Sequence, residues 1–226
     1  MADNGERRTQ VERRNESENS LLDAAAASIC ARGVERASLA EIGDRAGRSR
    51  GLANHHFGSK EVLIERLVER CQDRLEEATQ AAWRDSEEPE DDALAAIRLM
   101  VELYLGRFAT PDPEIRALLV LWGASFPEVT SVPGITAADE RASGNLANIV
   151  AAGQKSGSIS TLVDPVGAAV MILGLMRGVA AQLLTHSDID LERVKAETDR
   201  WLTAALAPGS EPERRPRVRR RAGAST

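Results

Sequence analysis

The stretch SLAEIGDRAGRSRGLANHHFGSKEVL, residues Ser38–Leu63, decides how this chain is read. Ser38 and Glu41 have capping-box spacing, which opens a helix over Leu39–Arg45. Ala46-Gly47 ends it, because glycine takes the backbone angles of a tight turn at little cost. Ser49 caps a short helix to about His56, and Ser59 caps a long one over Lys60–Arg84. The long helix carries Val62, Leu63, Leu67, Val68, Cys71 and Leu75 at helical spacing. Upstream, Glu16–Arg32 puts Leu21, Leu22, Ala25, Ala26 and Ile29 on one face, and Gly33 stands where a C-terminal cap belongs. Short helices joined by a glycine turn and followed by a long one make a helix-turn-helix layout over about 39–58. The first helix and Leu39, Ile42 and Ala46 would form a small core. Such a core holds the third helix outward, so that its first residues can enter a DNA major groove.

Beyond Arg84 the chain stays helical in pattern. Ser86–Asp92 is polar and contains Pro89, which predicts a loop and places a domain boundary near it. Five helical stretches follow, at about 92–109, 113–126, 134–156, 165–185 and 190–206, punctuated by Pro111, Pro127, Pro133, Gly157 and Pro208. Asp164-Pro165 is an N-cap followed by a first-turn proline. With no alternating strand pattern and no internal repeat, the fold class is all-α. The expected division is an arm without structure at 1–15, a DNA-binding domain at 16–76, a second helical domain at 77–207 and a disordered basic tail at 208–226.

Charge is unevenly spread. The chain carries −6 in all, yet Arg45, Arg48, Arg50 and Lys60 lie in a window free of Asp and Glu. The last nineteen residues hold six arginines against two glutamates, so the body is more acidic than the total. An acidic body with small basic surfaces suits a protein that meets DNA at one end. The tail reads either as a solvated end or as a non-specific DNA tether. Cys30 and Cys71 are the only cysteines and have no metal-ligand spacing; both are expected to be buried, in a reducing compartment. Met1–Arg14 lacks the apolar core of a secretory signal, so a cytoplasmic protein is expected. There is no phosphate-binding glycine loop, no G-x-S-x-G and no metal motif, so neither an enzyme nor a cofactor is expected. An all-α enzyme and a ligand-independent architectural DNA-binding protein are the rival readings.

The runs Ser38–Gly47, Ser49-Arg50-Gly51 and His56–Leu63 closely resemble the DNA-binding domain of the tetracycline-repressor (TetR) family, over about residues 16–64. The chain departs from that pattern at Arg48, where Val is usual, at Leu52, where Thr or Ser is frequent, and at Ala53-Asn54, where Leu-Tyr is frequent. The resemblance implies a dimeric regulator, commonly a repressor, that binds double-stranded DNA at an inverted repeat and is released by a small-molecule effector. The DNA-contacting positions it picks out are Ser38, Leu39, Arg48, Ser49, Arg50, Gly51, Leu52, Asn54, His55, His56 and Lys60. Arg48 and Arg50 would read guanine edges or hold phosphates, or else be plain solvated charges. Leu52 would meet a thymine methyl or the core. His56 matches a phosphate-contacting position. The adjacent His55 and His56 point to different faces of a helix, which argues against a metal.

A second resemblance, over roughly 100–206, is to the C-terminal domain of the betaine-regulator branch of that family. It rests on Gly153–Ile159, Asp164-Pro165 and Gly178–Leu184. It implies a ligand-binding and dimerising domain. Tyr104, Phe108, Trp122 and Phe126 would be core or ligand pocket, and Arg107 and Arg177 are further pocket candidates. Val166–Leu184 is nearly continuous apolar sequence. Rather than crossing a membrane, it would be buried between its own core and a second subunit. Leu191, Val194, Trp201 and Leu202 give the last helix one apolar face, so the two helices from each copy could form a four-helix interface. Arg177 interrupts the apolar run and needs a partner. That partner would be an acidic side chain of the same or the second subunit, water in a groove, or an anionic effector.

Overall fold

A computed structural model describes residues 10–87, 91–110, 113–125 and 133–209, apart from the side chains at 50, 133 and 134. The described residues form helices α1 Gln10–Arg32, α2 Leu39–Arg45, α3 Arg50–Phe57, α4 Lys60–Arg84, α5 Ala93–Gly106, α6 Pro113–Ala124, α7 Pro133–Ser156, α8 Pro165–Thr185 and α9 Leu191–Leu206, with no strand among them. The all-α expectation holds, and α2 and α4 have the expected bounds. One end differs. α1 starts at Gln10, so residues 10–15, expected as part of an unstructured arm, are helical. Gln, Glu and Arg are good helix formers and extend the helix without needing an apolar face. The tail from residue 210 onward lies outside the described residues.

Capping sets the ends. Ser38 Oγ accepts the Glu41 N–H at 3.3 Å, and Ser59 Oγ accepts the Val62 N–H at 3.3 Å. Asp92, Asp164 and Asp190 cap α5, α8 and α9 with their carboxylates. An oxygen at this position satisfies an N–H that has no partner within the helix, worth about 1 kcal/mol.

Two apolar cores fill the molecule. The first joins α1, α2, α3 and the start of α4 through Leu21, Ile29, Ile42, Ala53, Phe57, Leu63 and Leu67. It also takes Ala117 and Leu121 from α6 and Ile135 and Ala138 from α7. The second lies between α5, α7, α8 and α9 around Ile97, Leu105, Val150, Ile159 and Ile172. At Gly153 the backbone of α7 passes so close to α5 that a Cβ would sit 2.8 Å from the Ala93 Cβ and 2.7 Å from Ile159 Cδ1. Only glycine fits that approach.

Between the cores lies a buried carboxylate. Glu114, on α6, is 4% exposed and ion-paired to Arg70 and Arg74 of α4. Arg107, the C-cap of α5, lies 3.9 Å from its other oxygen. Arg70 reaches on to α1, donating to Asp23 at 2.8 Å and to the Asn19 carbonyl at 3.1 Å. Cys71 is buried beside Glu114, its Sγ 3.8 Å from the carboxylate. Cys30 is only half-buried, because its Sγ turns toward the Pro113 carbonyl at the start of α6, 3.1 Å away.

The apolar helix α8 is not covered on all sides within one chain. Ala169, Ile172, Met176 and Ala180 face the core, whereas Val166, Val170 and Met171 face out, Met171 with 73% of its surface exposed. On α9, Trp201 is 65% exposed on the same side.

Replacing Glu114 by Gln keeps the shape but strips the cations of their counter-charge. Urea unfolding of Glu114→Gln should show a loss of about 3 kcal/mol, the scale for breaking a buried ion pair on one side. A loss within error of zero would mean that the cluster does not hold α6 to α4.

Candidate functional site

The helix-turn-helix is built as the glycine turn requires. Ala46 ends α2, Gly47 takes φ +67°, and the Arg48 N–H returns to the Gly43 carbonyl at 3.0 Å. α3 is then pinned from beneath by buried Ala53 and Phe57. Arg48, Ser49, Gly51, Asn54 and His55 are therefore exposed along one side. Ser49 is the N-cap of α3, but its hydroxyl makes no cap bond, so the oxygen stays available to another partner. Ser38 is exposed at the start of α2. Leu39 and Leu52 are half-buried and pack against the first core, so each is partly structural. Arg50 is the first residue of α3; its side chain lies outside the described residues. Lys60, at the start of α4, bridges to the Glu35 carbonyl at 3.2 Å, which holds the amine beside the loop leading to α2. His56 is half-buried, and its pKa lies below the ordinary value. Burial is the main cause; Glu18 opposes it and Arg14 and His55 add to it.

A cavity of about 110 Å³ opens between α4, α5, α6, α7 and α8. Three of the candidate ligand residues, Tyr104, Trp122 and Arg177, line it together. Two others do not: Phe108 packs edge-on against Tyr104, with ring centroids 5.6 Å apart, and Arg107 turns to Glu114. Phe126 lies outside the described residues. Arg177 has the acidic partner that its burial demands, Asp139 on α7 of the same chain, and its guanidinium stands 5.1 Å from the Trp122 ring centroid. Among the described residues no cluster of His, Cys, Asp and Glu could hold a metal ion.

The sequence profile described as bacterial regulatory proteins, tetR family, matches residues 21–67, which run from α1 through the helix-turn-helix into α4. That segment is similar to the DNA-binding part of the tetR family. The chain's curated relatives include the HTH-type transcriptional regulator BetI of Paraburkholderia phytofirmans, 29% identical over 105 residues, which are 46% of this chain and 52% of that protein. BetI of Burkholderia thailandensis is 28% identical over 110 residues, 49% of this chain and 55% of that one. The chain thus spans about half the length of the curated relatives it matches. Among solved structures, the TetR regulator TylP of Streptomyces fradiae has a TM-score of 0.65 at 23% identity, covering 87% of this chain and 89% of TylP. AibR in complex with isovaleryl coenzyme A and operator DNA has a TM-score of 0.61 at 19% identity, covering 82% and 97%. At these identities the likeness is one of fold.

Two polar cavity residues escaped the sequence reading. Gln72 interrupts the apolar stripe of α4 between Val68 and Leu75, and that interruption was its signal. Asp139 carried none: only the packing of α7 on α8 pairs it with a residue far along the chain.

Tyr104 is the chain's only tyrosine. Its pKa is pushed up to about 12, mainly by burial, with the nearby Arg177 and Arg107 acting in the opposite direction. A folded-state value above the unfolded one near 10 leaves the linked stability intact below pH 10 and removes it as pH rises toward 12. Ultraviolet titration should therefore show tyrosinate forming near pH 12 in the folded protein. A midpoint near 10 with the fold intact would place the ring in open solvent.

Proposed function

We propose that this protein is a homodimeric, sequence-specific DNA-binding transcriptional regulator. It represses from an inverted-repeat operator and leaves it when a small-molecule effector binds the cavity between α4 and α8. The observation that carries this reading is α3: Arg48, Ser49, Gly51, Asn54 and His55 are exposed around a helix whose opposite face, Ala53 and Phe57, is locked in the core. That is what a recognition helix needs, since its readout side must be bare and its position rigid. Arg48 and Arg50 are assigned to bases or phosphates at the head of α3. Ser38, His55, His56 and Lys60 are assigned to the phosphate backbone, and Leu52 and Asn54 to base edges. Leu39 shapes the head of α2.

The dimer is assigned to the outer faces of α8 and α9. Val166, Val170, Met171 and Trp201 line a broad apolar groove that a second copy would cover. α8 is long and apolar enough to cross a membrane. Its inner face is committed to the protein core, which favours a subunit interface for the outer one. A cytoplasmic location accompanies this reading.

Tyr104, Trp122 and Arg177 are assigned to the effector. A ligand shifts the protein off DNA only by binding the DNA-incompatible arrangement better than the DNA-bound one. The rod between the two sites is α4, whose first turn supports the DNA surface and whose Val68, Gln72 and Leu75 line the cavity.

Footprinting with the purified protein should protect a symmetric site, with affinity falling as salt rises. Arg48→Ala should relax preference at one base pair per half-site, by about 1–3 kcal/mol if it reads guanine. Lys60→Ala should weaken every sequence alike. Uniform coverage of unrelated DNA would overturn the assignment of operator specificity. For the dimer, Met171→Glu should yield monomers in sedimentation equilibrium and reduce operator affinity; an unchanged dimer would move the interface elsewhere.

A further inference from the structure

The Arg177–Asp139 pair is lopsided. The arginine side chain is 21% exposed and held against Trp122, while the aspartate side chain is 41% exposed. Packing fixes the cation; water can receive the anion. Beside them stands Tyr104, 5% exposed, whose hydroxyl makes no hydrogen bond to any described residue. A hydroxyl that opens on a cavity and has no protein partner is free to donate to whatever enters it. Gln72 is already engaged, its amide nitrogen donating to the Ala138 carbonyl at 3.2 Å. The rest of the wall is apolar: Val68, Leu118, Leu119, Ile135, Leu173 and Met176.

These groups define a ligand. The volume of about 110 Å³ is below the roughly 150 Å³ of a benzene-binding cavity, so it holds a short aliphatic body. The apolar wall calls for a hydrocarbon body. The guanidinium and the hydroxyl, both donors, call for one acceptor group of negative charge. A cationic ligand is disfavoured because Arg177 already occupies the face of Trp122. A neutral one would leave the ion pair as it is.

We infer that the effector is a small monocarboxylic acid with an apolar body, and that Asp139 is a built-in stand-in for its carboxylate. On binding, the ligand takes the Arg177 guanidinium and the Tyr104 hydroxyl, and Asp139 swings to solvent. This rests on reading the cavity as the effector site of a DNA-binding regulator. Tyr104 suits the task because it stays protonated far above neutral pH. The exchange also gives the signal a route. Asp139 follows Ala138, whose carbonyl is the acceptor for Gln72 of α4. Releasing Asp139 loosens the turn of α7 that grips the rod, without breaking any contact at the DNA surface itself.

The test is calorimetric titration of the full chain with propionate, butyrate and isobutyrate, each beside its neutral amide. At least one carboxylate should bind the wild type, and none of the amides should. Asp139→Asn should bind that carboxylate about tenfold more tightly, because removing an internal competitor raises the competent fraction. Arg177→Met should lose the binding, with near-ultraviolet circular dichroism checking that the fold is kept. Equal or weaker binding by Asp139→Asn overturns the inference, as does an amide binding as well as its acid, or no carboxylate binding to Asp139→Asn. None of these titrations contains DNA. A protein that takes carboxylates but shows no operator preference would sink the regulator reading alone.

Discussion

A carboxylate with 4% of its surface exposed must be held by cations, and Glu114 is held by arginines from two other helices. Its burial ties α6 to α4, and Arg70 carries the tie on to Asp23 and Asn19 of α1. The desolvation cost of such a group is several kcal/mol, so the arrangement survives only while every partner is in place. The helix-turn-helix stands on α1 and α4, and the cavity is lined from α4, α5, α6, α7 and α8. Both sites are therefore set by the same buried charge.

α4 mediates between them by simple geometry. It has 25 residues, so it extends about 37 Å at 1.5 Å per residue. Lys60 stands at one end by the loop before α2, and Gln72 lies about halfway along against α7. A small rotation at the cavity becomes a larger displacement at the helix start. In the proposed dimer, two recognition helices that must match a fixed half-site spacing would tolerate little of that.

Much of this was legible in the residues. The Ser38, Ser59 and Asp164 caps mark helix starts because their oxygens satisfy local N–H groups, a nearest-neighbour effect. Gly47 announces the turn for an equally local reason. The start of α1 was misjudged because residues 10–15 have no apolar face to reveal a helix that propensity alone extends. The cavity was half visible. Tyr104, Trp122 and Arg177 stand out as unusual residues on apolar helices, but Arg107 was drawn off by Glu114, and Phe108 serves as backing for Tyr104. Asp139 was invisible because an ion pair between α7 and α8 depends on tertiary register, which no short-range pattern encodes.

The first core crosses the line that the polar stretch around Pro89 suggested. Ala117, Leu121, Ile135 and Ala138 fill it from the far side of that loop. The helix-turn-helix head is thus not a detachable cassette. A chimera that grafted residues 16–76 onto another regulator would carry a hole where those four side chains had been. It would also carry Arg70 without its carboxylate. If α3 reads an operator as proposed, lineages that change operator would do so by altering its exposed positions in place, while exchange of whole heads would need the α6 surface to travel with them.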